Sequence, residues 1–205
     1  GVKNKENFVF HYNLEISEGR CACGPGSELD KVEAAGTLTF INELIKKHNI
    51  KSINDCGCGL FENWMCSINL LDIDYTGYDI NNLAINRNKK KYPERSFVEF
   101  DIVNTKLPYA DLIICRDCFF HLSNDFVIST ISNFKKGKSK YLLATEHRWL
   151  DQHTDLNKEE LKNEARYRFI NLELMPFNLG EPIEIHNEEV WRYYEGGNNR
   201  QVSLW

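Results

Sequence analysis

The chain contains no apolar run near the roughly 20 residues that a membrane-spanning helix needs. A membrane protein of the helical kind is therefore not expected, and no stretch reads as a secretory leader. Concentrated positive charge is also missing. The net charge is -5, and binding a phosphate backbone requires clustered Lys and Arg. The one basic run, "NRNKKKY" (86–92), reads as a solvated helix face. A nucleic-acid partner is not expected. A disulfide framework is lacking too. The seven cysteines are odd in number, and several lie in apolar, strand-like segments. A reduced, cytoplasmic chain accounts for that usage better. There are no internal repeats and no low-complexity tract.

What is present is an ordinary globular balance, 42% apolar and 27% charged in 205 residues. That length suits a single domain over 1–205 with a sizeable core. Residues 1–26 show little periodicity and end in the turn-rich "CACGPGS" (21–27). Residues 27–49 predict a helix, with Leu38, Ile41, Leu44 and Ile45 as its buried stripe. "IKSIND" (50–55) predicts a strand and 61–71 a helix with Trp64, Met65 and Ile68 inward. Strands are predicted at 74–80, 96–102, 110–117 and 140–147. Helices are predicted from "NLAINRNKKKY" and over 124–137. Strand and helix thus alternate from 50 to 147, which implies βαβ units and an open, mostly parallel sheet with helices on both faces. Residues 148–180 break the rhythm and predict a lid-like insertion on the substrate side. "IEIHNEEVWRYYEGG" and "RQVSLW" can return as two closing strands.

"NDCGCG" (54–59) follows the first of these strands. Cys-X-Cys is too tight for an ordinary zinc knuckle, and no matching ligand pair follows. Nor is it the Cys-X-X-Cys of a redox pair. A positional reading remains. Asp55 ends a strand, and Gly57 and Gly59 open the route onward. In open parallel sheets, ligands bind beyond the carboxyl ends of strands, and glycine lets the backbone approach a ligand closely. A dinucleotide site would want Gly-X-Gly-X-X-Gly, and here the last glycine is absent. Asp79 ends the next strand, where a carboxylate can accept both hydroxyls of a ribose. Asp101 ends the third and can reach an adenine amine.

With these motifs in order, the chain resembles the class I S-adenosylmethionine-dependent methyltransferases. The resemblance is carried by "NDCGCG", "GYDI", "EFDI" and "DLIICRDCFFHLS", and covers roughly residues 27–147. It implies a Rossmann-like, seven-stranded α/β fold that binds S-adenosyl-L-methionine and releases S-adenosyl-L-homocysteine. It further implies Asp55, Gly57 and Gly59 around the methionine moiety, Asp79 on the ribose and Asp101 on the adenine, with Ile80 and Ile102 closing the same motifs. Arg116 to His121 would lie beside the methyl group. The chain departs from the family at Phe61, where a third glycine is common. "CGPGS" (23–27) and "RYRFINLELMPFNLGEP" (166–182) are similar to a bacterial branch often found near surface-polysaccharide genes.

A sulfonium methyl is already activated, so in-line transfer asks the protein mainly for proximity and alignment. A hydroxyl acceptor also needs a base. Asp117, His121 and His147 fit by position, and histidine titrates near neutrality. Each also has a plain structural reading, as a helix cap or a loop residue. A divalent ion held by Asp117, Glu146, His147, Asp151, His153 and Asp155 is not expected, because the spacing is irregular. Arg166, Arg168 and Asn171 in the insertion are candidates to recognise acceptor hydroxyls or a phosphate. The expected activity is O-methylation of a small molecule such as a sugar or sugar nucleotide. A homodimer is compatible with the sequence. Competing readings are a nicotinamide-dependent oxidoreductase, a methyltransferase acting on protein or nucleic acid, and a non-catalytic binding domain of the same fold.

Overall fold

A computed structural model describes residues 32–148, 157, 168–188 and 200–205. Seven strands form one sheet in the order β3-β2-β1-β4-β5-β7-β6. They are β1 (Ser52–Cys56), β2 (Asp74–Asp79), β3 (Ser96–Glu99), β4 (Leu112–Cys115), β5 (Tyr141–His147), β6 (Glu184–Asn187) and β7 (Arg200–Leu204). Three α-helices accompany them among the described residues: α1 (Val32–Lys47), α2 (Asn82–Lys91) and α3 (Asn124–Gly137). The sheet is mixed. The pairings β1–β2, β1–β4, β2–β3 and β4–β5 are parallel, while β7 runs antiparallel to both β5 and β6.

Strand alternation divides the core. In β4, Leu112 and Ile114 face one layer and Ile113 and Cys115 the other, as a period of two dictates. The first layer gathers Ile41 and Leu44 of α1, Ile85 of α2, Phe61, Trp64, Met65, Phe97 and Val202. The second gathers Val127, Ile131 and Phe134 of α3 with Tyr78, Phe119, Ile170 and Leu172. Helix ends follow local chemistry. The Asn81 side chain accepts the Leu83 and Ala84 N–H groups at the start of α2. The Ser123 hydroxyl accepts from Phe126 at the start of α3.

Several expectations are corrected. The helix predicted over 61–71 is instead two short 3₁₀ turns, Phe61–Asn63 and Met65–Ser67. Trp64, at φ −156°, breaks the run between them, and the Phe61 N–H is taken by the Asn88 side chain at 3.1 Å. The strand predicted to Ile102 stops at Glu99. Asp101 captures the Val103 and Asn104 N–H groups instead, and so closes a turn. The strand predicted over 110–117 keeps only Leu112–Cys115. Asp117 lies at φ +57°, outside the extended region. The two closing strands are present as β6 and β7.

Candidate functional site at the carboxyl ends of the strands

Parallel register brings the ends of β1, β2 and β4 level, with Asp55 opposite Gly77 on one side and Ile114 on the other. Asp55 is buried, and the Tyr75 hydroxyl donates to it at 2.8 Å. Burial dominates its chemistry and pushes its carboxyl up to about 7, with Asp79 adding to the rise and Tyr75 and Arg116 opposing it. Gly57 and Gly59 follow at φ +76° and +52°. These are left-handed conformations that favour glycine. Gly57 is exposed, and a Cβ there would come within 3.2 Å of the Cys118 sulfur. The Gly57 and Cys58 N–H groups both donate to the Tyr78 carbonyl, at 2.8 and 3.1 Å, which folds the loop back over β2.

Asp79 accepts the Gly59 N–H at 2.9 Å on one oxygen and the Asn81 N–H at 2.8 Å on the other. Its orientation is therefore set by the backbone. Burial raises its pKa, opposed by those N–H groups. Ile80, beside it, is half-buried. Asp101 is half-buried in its turn and also accepts from the Asn104 side chain at 2.9 Å. The Ile102 carbonyl is held by Asn133 of α3 at 3.1 Å.

Beyond β4, Arg116 is buried. Its guanidinium lies 5.1 Å from the Trp64 ring and pairs with Asp117 and Glu188. Asp117 is further held by Arg200 and by the Thr145 hydroxyl. His121 closes the 3₁₀ turn Phe119–His121 and is half-buried, its ring tilted against Phe120 at 4.5 Å. His147 is fully buried at the end of β5. Its Nδ1 accepts the Ile170 N–H at 3.3 Å, and its ring meets those of Phe120 and Phe169 edge-on. Burial first, then the nearby Arg200 charge, depresses its pKa to about 3.

The segment from Arg168 to Leu172 crosses the carboxyl ends of β4 and β5, with the Arg168 N–H bonded to the Phe120 carbonyl. Arg168 and Asn171 were expected to face an acceptor. Both are buried in the frame of this segment. Arg168 donates to the Leu122 carbonyl at 3.1 Å and lies over the Phe177 ring. The Asn171 side chain accepts the Glu173 N–H, and its backbone is bracketed by Asn157. Arg166, Asp151, His153 and Asp155 lie outside the described residues. Glu146 accepts from Leu172, Gln201 and Ser203, and so ties the segment to β7. Among the described residues, no three His, Cys, Asp or Glu side chains gather as metal ligands do.

Sequence reasoning missed Asn88, Glu188, Arg200 and Thr37. Their partners are distant in the chain, so no motif spacing announces them. Glu188 receives Arg116 and also the Thr37 hydroxyl at 2.5 Å.

No protein-family model matches the chain, and no curated protein matches it. Solved structures do. The chain superposes on N-methyltransferase NodS from Bradyrhizobium japonicum WM9 with a TM-score of 0.62 at 12% identity, covering 85% of this chain and 96% of that one. Magnesium protoporphyrin IX methyltransferase from Synechocystis PCC 6803, with bound SAH, gives 0.61 at 16% identity, covering 84% and 82%. The methyltransferase domain of bacterial CtHen1 gives 0.59 at 14% identity, covering 84% and 98%. The fold is therefore that of the Rossmann-like methyltransferases.

Proposed function

We propose that the protein is an S-adenosylmethionine-dependent methyltransferase. The carrying observation is the arrangement of Asp55, the Gly57–Gly59 bend and Asp79 at level ends of adjacent parallel strands. The residues present fit the cofactor. Asp79 presents a carboxylate whose two oxygens are already aimed by backbone N–H groups, leaving lone pairs for a ribose diol. Gly57 is exposed where a side chain would crowd the bend. Asp101 and Ile102 stand half-buried in the turn beyond β3, suited to an adenine edge, with Ile80 beside Asp79. When bound, the cofactor supplies an electrophilic methyl group on sulfur. Asp55 and the buried Arg116 shape the end where its methionine portion would lie.

The chain's own task is then to place an acceptor in line with the methyl and to remove a proton. Of the three candidate bases, geometry favours His121. Asp117 is tied to two arginines and Thr145. His147 has its Nδ1 engaged, and its burial resists taking a proton. The acceptor we propose is the oxygen of a small molecule, a sugar or sugar nucleotide. The net charge of -5 disfavours a polyanionic nucleic acid, and the 168–172 segment covers the acceptor side of β4 and β5. The test is transfer of labelled methyl from S-adenosylmethionine to a panel of sugars, sugar nucleotides, peptides and RNA. Label in a saccharide with release of S-adenosylhomocysteine is expected. Label only in peptide or RNA would overturn the acceptor class.

A further inference from the structure

The glycine bend lacks the third glycine, and Phe61 occupies its place, buried against Tyr75, Tyr92 and Phe97. Something else must fix the backbone between Gly59 and Phe61. Asn88, on α2 and 1% exposed, does so with both ends of its amide. Its Nδ2 donates to the Gly59 carbonyl at 2.7 Å, and its Oδ1 accepts the Phe61 N–H at 3.1 Å. The same Gly59 donates its own N–H to Asp79 at 2.9 Å. The next residue of the bend, Glu62, is held by Arg87 and Lys91 from the same helix. Two hydrogen bonds thus link Asn88 through Gly59, by its carbonyl and its N–H, to the carboxylate of Asp79.

Resting on the cofactor reading above, we propose that Asn88 is a positioning residue for the nucleoside, holding the backbone at Gly59 so that Asp79 is aimed before the ligand arrives. A buried side chain that satisfies two backbone groups at once is hard to replace, because each lost partner leaves a buried polar group unpaired. Preorganisation of this kind acts on affinity by removing an ordering cost from binding. It does not act on the transfer step itself.

The test compares wild type with Asn88→Ala and Asn88→Asp. The aspartate keeps the volume and the acceptor for Phe61 but loses the donor to Gly59, so it carries the test if the alanine variant fails to fold. Three readouts are used: calorimetric affinity for S-adenosylhomocysteine, amide hydrogen exchange, and the division of any kinetic loss between KM and kcat. Affinity is expected to weaken roughly tenfold, with faster exchange confined to residues 57–63, a raised KM and an unchanged kcat. A folded variant that binds like wild type overturns the role of Asn88. So does faster exchange throughout the chain with unaltered affinity, which marks a merely structural residue. Wild-type protein that ignores S-adenosylhomocysteine overturns the cofactor reading, and the proposal with it.

Discussion

Arg116, just beyond β4, donates from Nε and Nη2 to one and the same oxygen of Glu188, just beyond β6, at 3.1 and 3.0 Å. Arg200 reaches the other Glu188 oxygen at 2.7 Å, and Thr37 of α1 donates to the shared one. Glu188 therefore joins α1, β4, β6 and β7 at a point buried from water. Glu188→Gln removes the charge between two buried arginines. Breaking such a pair from one side costs about 3–5 kcal/mol. Chemical denaturation should show a loss of that order. A loss near that of a surface pair would contradict the account.

Asp55 gives the chain a pH signature. Folded, its carboxyl titrates at about 7 because it is buried. Unfolded, it returns to the ordinary value near 3.9. Between these values the folded state holds a proton that the unfolded state has released. Stability from this group thus falls as pH rises from about 4 to about 7, at up to about 1.4 kcal/mol per unit. Asp55→Asn should gain on wild type across that window and keep a constant advantage above it. A stability difference flat from acid to neutral pH would show that the group is not desolvated.

His121 and His147 separate by role. His121→Ala should lower turnover by roughly 10²-fold or more while cofactor affinity holds. His147→Ala should instead lower stability, since the ring fills a space between Phe120 and Phe169 and its loss leaves a cavity. Steady-state kinetics beside thermal melts distinguishes the two. The opposite pattern would move the base to His147.

The thiols should react unequally. Cys66 is exposed, whereas Cys56, Cys58 and Cys115 are buried, and burial pushes those three up. The thiolate is the reactive form. Brief alkylation of native protein, read by peptide mass, should mark Cys66 and spare the other three until the chain is unfolded. Prompt labelling of Cys56 or Cys115 would mean the sheet end is open to solvent.

Much of this was legible from residues alone, and the reasons are local. Asp55 and Asp79 end apolar, strand-forming stretches, so period and position placed them. Gly57 and Gly59 announced a bend because few other residues take positive φ. Asp101 was legible as a residue beyond the third strand, but its own side chain ends that strand early. The helix expected over 61–71 has a proper apolar stripe, yet the backbone at Trp64 leaves helical geometry, and that break is not visible in a linear pattern. Arg168 and Asn171 illustrate the same limit. Polar residues in a polar segment read as ligand contacts, but here long-range bonds to Leu122 and Asn157 draw them inward.

Asp79 is the residue on which the proposed cofactor site turns. Isothermal titration with S-adenosylmethionine should give saturable one-to-one binding to wild type. Asp79→Ala should weaken it by roughly tenfold or more, since a buried ribose diol loses its acceptor. Wild-type protein that takes up no S-adenosylmethionine, or a folded Asp79→Ala variant that binds it undiminished, would contradict the assignment of this site.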